Sequence, residues 1–386
     1  MNEPIKVMHL IGGGEFFGKR LPIGGAAGYL FQVLDALPKD AYEHHVAFFY
    51  DGPSAQQARD KGYPVYILPK RFPKDPTLPL RLAWLLRKKK IELLHTHLTD
   101  ADFYGRLAGR LARRLPVIST MHSFIHGSMA ATRRKPLREH LAWWHEVHMA
   151  PLSRRITTVC HALEAELSLH GVEQSRLITI PPGVDTETVK TDGSAFREEI
   201  GLQSGDRLIG TVGRLVPAKN YNVFLNIAAG LLRKYDNLRF AIVGDGPQMD
   251  PLRKRAEDLG IIEQVIFSGW RGDMQAIFPA FDVFVLTSHT EAMPLTLIES
   301  MAARTPVVAP TVGGIPELVE HGSCGFLFEP GDADSAQKHL DTLLTDEDTR
   351  RKMGAAAARR IRTAYSLQLL GQRMDRLYRN LLPHRQ

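Results

Sequence analysis

Cysteine is nearly absent: Cys160 and Cys324 are the two in 386 residues. That excludes a disulfide framework and a cysteine-rich zinc site, and it suits a chain that folds in a reducing cytoplasm. No run approaches the roughly 18 apolar residues that a membrane-spanning helix needs. The opening MNEPIKVMHLIGGG does not read as a signal peptide: its apolar stretch is short, follows an acidic residue and runs into glycines. No internal repeat or low-complexity segment occurs. No helix-turn-helix, zinc-finger or RNA-binding signature occurs either, so nucleic acid is not an expected partner. A dinucleotide fingerprint is also missing. Gly12-Gly13-Gly14 and Gly24-Gly25 lack the G-x-G-x-x-G spacing, and no acidic residue closes the next strand before Asp51. A glycine loop contacting a ligand is the better reading of that segment.

What is present is an ordinary globular mixture, 44% hydrophobic and 24% charged, long enough for about two domains. Strand candidates alternate with helix candidates. In the first half the strands are Ile5–Ile11, His44–Tyr50, Val65–Pro69, Glu92–His97, Pro116–His122, Ile156–Cys160 and Leu177–Ile180. In the second they are Arg207–Gly213, Leu238–Gly244, Val265–Gly269, Val283–Thr287, Pro306–Ala309 and Phe326–Phe328. Most are continuous apolar runs, as strands covered on both faces require. Alternation with helices then implies parallel, doubly wound sheets, and this many strands fit two sheets better than one. The break falls at Pro181-Pro182-Gly183-Val184-Asp185. The tail 364–382 returns to helical spacing through Leu367, Leu370, Met374, Leu377 and Leu381. Ligands of such sheets sit at the carboxyl ends of the strands, so a crevice between two domains is the expected site.

The strongest motif is Ser288-His289-Thr290-Glu291-Ala292-Met293-Pro294-Leu295-Thr296-Leu297-Ile298-Glu299. It follows an apolar strand and opens a helix, with Pro294 in the first turn where a missing N–H costs nothing. The free N–H groups and the helix dipole suit a phosphate at Met293–Leu295. Glu291 and Glu299 flank that position, and carboxylates there accept hydrogen bonds from sugar and ribose hydroxyls rather than bind phosphate. Taken singly, each has a plainer reading, Glu291 as a helix-start carboxylate and Glu299 as a solvated helix residue. A second motif, Gly213-Arg214-Leu215-Val216-Pro217-Ala218-Lys219-Asn220, sets two cations around a turn at the edge of the sheet. Arg214 and Lys219 there can neutralise a leaving diphosphate, or can be two solvated cations on a surface turn. The turn Gly244-Asp245-Gly246-Pro247 permits close backbone approach to a ligand. His97 and His122 end two strands of the first half, both facing the crevice, and His97 reads as structural.

Together these pieces resemble glycosyltransferase family 4, retaining enzymes of the GT-B fold. The resemblance rests on Glu291-x7-Glu299, Gly213-Arg214-Leu215 with Lys219-Asn220, Gly244-Asp245-Gly246-Pro247 and Ala309–Glu317 (APTVGGIPE), joined by Gly24-Gly25, His95-Thr96-His97 and Thr120-Met121-His122. It implies an α/β protein of two Rossmann-like, doubly wound parallel-sheet domains facing across a cleft. Residues 1–184 would bind the acceptor, with the C-terminal helix 366–386 packing back on them, and residues 185–365 would bind the nucleotide-sugar. Family roles would fall on Glu299 for the ribose, Glu291 for the donor sugar, and Arg214 and Lys219 for the diphosphate. Met293, Pro294 and Leu295 would lend backbone near sugar and phosphates, and Arg271 backbone against the base. Gly25 would offer an N–H to the diphosphate, and His122 would approach the sugar hydroxyls. No metal and no resident cofactor are implied; the donor is a nucleoside-diphosphate sugar, UDP the expected nucleotide. The acceptor would be a glycan or a lipid-linked hydroxyl. Two positions depart from the family pattern: Ala27 stands where Glu is common, and Ala292 where Gly is usual. An epimerase, a phosphorylase or a non-catalytic nucleotide-sugar binder are the alternatives.

Charge is uneven. Residues 1–184 carry 25 Lys and Arg against 16 Asp and Glu, residues 185–386 carry 24 against 26, and the first half holds 12 of the 16 histidines. The basic clusters are Lys70-Arg71, Arg87–Lys90, Arg113-Arg114, Arg133-Arg134-Lys135 and Arg154-Arg155, with Trp143-Trp144 among them. Tryptophan beside cations suits a headgroup boundary, which points to peripheral binding at the inner face of an anionic membrane; solvated helix faces with a tryptophan packed inside are the alternative.

Overall fold

The computed structural model describes residues 3–12, 15–16, 19–20, 24–72, 74–124 and 137–382. The chain divides into two compact units. One comprises the described residues up to Gly183 together with those from Leu367 onward, the other Val184–Ser366.

The first unit carries β1 (Ile5–Ile11), β4 (Tyr42–Phe48), β5 (Val65–Ile67), β6 (Leu93–His97), β7 (Val117–Met121), β8 (Arg155–Thr158) and β9 (Leu177–Thr179) in the order β5-β4-β1-β6-β7-β8-β9. The second carries β10 (Arg207–Val212), β11 (Leu238–Val243), β12 (Val265–Gly269), β13 (Val283–Val285), β14 (Val307–Pro310) and β15 (Phe326–Phe328) in the order β12-β11-β10-β13-β14-β15. Every pairing within both sheets is parallel. A separate two-residue pair, β2 (Glu15–Phe16) with β3 (Lys19–Arg20), is antiparallel and is not foreshadowed by the apolar pattern.

Both orders are doubly wound, with chain direction reversing beside the first strand of each sheet. The switch points fall between β1 and β6 and between β10 and β13, where loops diverge and leave room for a ligand. Buried residues from strands and helices fill the space around each sheet. In the second unit Ile209, Phe240, Ile242, Val283 and Val285 meet Phe224, Leu225 and Leu340 from its helices. The helix Leu367–Leu381 belongs to the first unit, where Asp375 accepts from the Tyr42 hydroxyl at 2.7 Å and Tyr378 meets His95 Nδ1 at 2.6 Å. The helix Glu347–Ala364 is missed by apolar spacing, because alanines and arginines rather than large apolar residues fill it. Asp346 starts it by accepting from the Thr349 N–H at 2.9 Å.

The first unit also buries charge. Arg106 donates to Glu146 at 2.5 Å and to Ser153 Oγ at 2.9 Å, and neither side chain of the ion pair is exposed. Asp102 lies nearby, accepting from Thr96 Oγ1 at 2.5 Å, and burial pushes its carboxyl up to about 7. Removing one member of such a pair leaves an uncompensated buried charge. Arg106→Met is therefore expected to cost about 3–5 kcal/mol in urea denaturation, and the double variant Arg106→Met/Glu146→Leu less than that. A single-variant loss under about 1 kcal/mol would show that the pair is not buried as described.

Candidate functional site

The second sheet's switch point is built from two loops. The chain leaves β10 at Gly213 and turns through Arg214 and Leu215 into the short 3-10 turn Pro217–Lys219. Asn220 then takes a left-handed conformation (φ 50°, ψ 45°), which asparagine tolerates, and starts the helix Tyr221–Leu231. The chain leaves β13 through Thr287 and Ser288. The loops are laced together: Thr287 Oγ1 donates to the Lys219 carbonyl at 3.1 Å, and the His289 N–H donates to the Ala218 carbonyl at 2.9 Å. Their strongest link is polar. Lys219 Nζ meets Glu291 Oε1 at 2.5 Å, and Ser288 Oγ donates to the same oxygen at 2.6 Å.

Two neighbouring turns support this pair of loops. Gly314 after β14 donates its N–H to the Ala292 carbonyl at 2.9 Å. On the other side, Leu215 N–H donates to the Asp245 carbonyl at 2.9 Å. A Cβ on Gly244, whose φ is +140°, would come within 2.0 Å of the Gly213 carbonyl oxygen. The expected close approach of the Gly244–Pro247 turn is therefore to the Gly213–Leu215 backbone. The glycine there serves the scaffold of the site.

The plainer readings of the charged residues fare differently. Glu291 is not a helix-start carboxylate, since it holds Lys219. Lys219 is mostly buried, so it is not a solvated cation, whereas Arg214 is exposed. The buried Tyr221 senses both Glu291 and Arg214, although burial is the main cause that raises its hydroxyl. Pro294 stands one position earlier than expected: it is the N-cap, and the helix runs Leu295–Ala302. Its carbonyl accepts from Leu297 and Ile298 at 3.1 and 3.3 Å. Met293 and Pro294 are buried and Leu295 partly so. Glu299, one turn into the helix, is only partly exposed, and burial pushes its carboxyl up to about 7.

The remaining expected residues lie apart from this cluster. Arg271 follows the edge strand β12, and its guanidinium pairs with Glu199 at 2.8 Å and Asp273 at 2.7 Å, leaving its backbone for any contact with a base. Gly25 and His122 belong to the first unit. Gly25 opens the helix Gly25–Ala36 after the extended Gly24, and a Cβ on either glycine would meet nothing within 4 Å. His122 follows β7, and burial pushes its imidazole down to about 3. His97 does not face a crevice: it is fully buried, and its Nδ1 lies 3.1 Å from His122 Nε2. Ser288, Tyr221, His9 and His44 are parts of these arrangements that the motifs did not single out. His9, His95 and His97 bring one nitrogen each within 4.8 Å of one another, the spacing of a metal triad. Each ring is already hydrogen bonded, His95 to Tyr378 and Thr120 at 2.6 Å each, so a metal ion would have to displace those bonds.

Two cations, a helix amino end and two carboxylates gathered at one switch point fit a glycosyltransferase. Comparisons with known proteins agree. The family described as Glycosyl transferases group 1 matches residues 192–360, and Glycosyltransferase Family 4 matches residues 23–188. The chain is 29% identical over 338 residues to the Escherichia coli UDP-Gal:alpha-D-GlcNAc-diphosphoundecaprenol alpha-1,3-galactosyltransferase, covering 84% of this chain and 86% of that one. It is 30% identical to the GDP-mannose-dependent alpha-(1-6)-phosphatidylinositol monomannoside mannosyltransferase of Mycolicibacterium smegmatis, covering 73% and 75%. Anabaena HepE in complex with UDP-glucose superposes with a TM-score of 0.85 at 21% identity, over 97% of this chain and 100% of that one. Sucrose-phosphate synthase of Thermosynechococcus elongatus superposes at 0.81 and 18% identity, over 98% and 100%. The chain belongs to glycosyltransferase family 4, and its fold is GT-B.

Glu299 gives a test that needs no ligand. Its carboxyl is raised in the folded state, so the native protein binds more protons than the unfolded chain between the ordinary carboxylate range and about 7. That term lowers stability as pH rises through this window. Glu299→Gln removes it and is expected to be more stable than wild type by on the order of 1–2 kcal/mol at pH 8, with the advantage vanishing near pH 4. Thermal unfolding of both proteins across that range measures the difference; a constant gap would refute the burial argument.

Proposed function

We propose that this glycosyltransferase moves a sugar from a nucleoside-diphosphate sugar to an acceptor hydroxyl, with retention of anomeric configuration and without a metal ion. UDP is the nucleotide favoured, and glycan, polysaccharide or glycolipid synthesis the setting. The observation that carries this reading is the Lys219–Glu291 pair beside the exposed Arg214 and the amino end of Leu295–Ala302. Lysine has three donors, so Lys219 can keep Glu291 and still reach a phosphate oxygen. Charge developing on the diphosphate as the bond to the anomeric carbon breaks is then met by Lys219, Arg214 and helix N–H groups already in place. The acceptor oxygen bonds the anomeric carbon on the same face, and its proton leaves with the departing phosphate oxygen. Glu291 accepts from a sugar hydroxyl, Glu299 from the ribose, and the backbone at Met293, Pro294, Leu295 and Arg271 lines the donor. His122 serves the sugar hydroxyls and Gly25 N–H the diphosphate. Residues 184–366 take the donor role, and residues 1–183 with 367–386 the acceptor role.

Release of nucleoside diphosphate from a panel of nucleotide-sugars tests this. Arg214→Ala and Lys219→Ala are each expected to lower kcat roughly a hundredfold, the scale for losing one preorganised charge at a leaving group. A chelator is expected to leave the rate unchanged, and the product to keep the donor's anomeric configuration. Full rate in both variants, or an inverted product, would remove the reading.

Two of the relatives named above act on lipid-bearing substrates. This supports a lipid-linked acceptor, and we propose that the protein reaches it at the inner face of an anionic membrane; no helix among the described residues is long and apolar enough to span one. The expected tryptophans divide. Trp143 is buried and stacked 3.7 Å from His170, whereas Trp144 is exposed. Arg133, Arg134 and Lys135 lie outside the described residues. A better face is the helix Leu78–Lys88, where Leu80 and Trp84 are each 60% exposed and Lys88 Nζ sits 4.5 Å over the Trp84 ring. Arg87, Lys89 and Lys90 continue it. Sedimentation with phosphatidylglycerol vesicles at low salt is expected to bring the protein down and Leu80→Ser/Trp84→Ser to leave most of it in solution. Wild type staying in solution rejects the membrane reading.

A further inference from the structure

The first unit spends four histidines on one continuous arrangement. His44 Nδ1 lies 3.3 Å from His9 Nε2, His9 Nδ1 lies 3.4 Å from His97 Nε2, and His97 Nδ1 lies 3.1 Å from His122 Nε2. Parallel register makes this possible. His9 on β1 is level with His95 on β6, Ile11 is level with His97, and His44 sits beside them on β4. His9 and His97 are fully buried, His44 nearly so, and His122 at the end of the row is partly exposed. Burial holds all four imidazoles below the ordinary histidine range, so the row is uncharged near neutral pH.

A neutral imidazole has one donor nitrogen and one acceptor nitrogen. Three bonds in series therefore admit two arrangements. Either all four rings carry the proton on Nδ1 and donate toward His122, or all carry it on Nε2 and donate toward His44. The second ends on an N–H at His44 Nε2, a buried atom with no hydrogen-bond partner among the described residues. The first leaves only a lone pair there and ends on an N–H at His122. A buried N–H without an acceptor is rare and costly, so the first arrangement is favoured.

We propose that His44, His9 and His97 are positioning residues that lock His122 as a neutral hydrogen-bond donor at Nδ1, matched to an oxygen acceptor such as a hydroxyl of the donor sugar. His122 is then neither general acid nor general base; it reads an oxygen atom on the ligand. The groups that bear on the row are Tyr29 from Gly25–Ala36, Tyr42 and His45 from β4, Tyr63, His95 from β6, and Tyr378 from the C-terminal helix. Among the described residues no carboxylate contributes to the shift of any of the four rings.

The inference rests on the reading of His122 as a donor-sugar contact, but its first test does not. Long-range 1H–15N spectra of ring-labelled wild-type protein are expected to show Nδ1 protonated and Nε2 bare on all four rings, unchanged from pH 5.5 to 8. A proton on Nε2 of any of the four, or titration of His122 in that range, overturns the proposal. His97→Phe withdraws the donor facing His122 Nε2 and is expected to return His122 to a tautomer mixture, with kcat/KM down roughly fivefold to tenfold, the worth of about one hydrogen bond. His122→Asn, whose amide can place an N–H near the position of Nδ1, is expected to keep at least fivefold more kcat/KM than His122→Leu. Equal activities in that pair would overturn the donor role even with the spectra as expected.

Discussion

A lysine and a glutamate 72 positions apart in sequence, Lys219 and Glu291, link two loops at the switch-point edge of the second unit. They tie the loop after β10 to the loop after β13, the pair of loops that a doubly wound sheet leaves side by side where its direction reverses. The fold sets the two loops side by side and the ion pair links them. Ser288, Thr287 and His289 add hydrogen bonds across the same gap, and Ala292 and Asp245 anchor it to the loops on either side. A mostly buried ion pair is weak stabilisation, since desolvation offsets much of the attraction. An apolar pair would fill the same space without that cost. The proposed diphosphate role would give these charges a use that an apolar pair could not serve.

Most of the fold was legible because it is written in local pattern. Continuous apolar runs such as Ile5–Ile11, Val265–Gly269 and Phe326–Phe328 appear as strands with the expected bounds. Others, such as the run expected at His44–Tyr50, are displaced by a residue or two, because strand ends are set by partners: Tyr42 pairs with Ile5 and extends β4 backward. Helices without a strong apolar stripe escaped notice. Glu347–Ala364 faces the core with Met353, Ala357, Ala358 and Ile361, where small residues replace the leucines that usually mark such a face.

The site was legible in residue type but not in contact. Glu291, Lys219 and Glu299 stand out by charge at glycine- and proline-rich strand ends, where chemistry concentrates. Which of them touch is fixed by strand order, and no window of sequence contains it. The same holds for Gly244, whose motif invites a ligand while its neighbour is the Gly213 backbone. It holds most of all for His9, His44 and His97. Each is a single polar residue in an apolar strand, and only the register of β1, β4 and β6 makes a series of them.

The two units accept polar cost in different ways, and the difference bears on how each can treat a ligand. In the second unit Glu299 is half-buried and no partner for its carboxylate is found among the described residues, so it gains when hydroxyl donors arrive. On the proposed reading, hydroxyl donors of a ligand there would relieve a desolvation penalty already present in the protein, and part of the affinity would come from that relief. In the first unit the penalty is spread along a row of neutral imidazoles that satisfy one another, with one buried nitrogen at the far end left over. A ligand at His122 would add one acceptor to a series already in order, gaining orientation more than energy. On the proposed reading His122 would orient a sugar and Glu299 would add to the affinity for a nucleotide, two separate contributions that a transferase can tune independently.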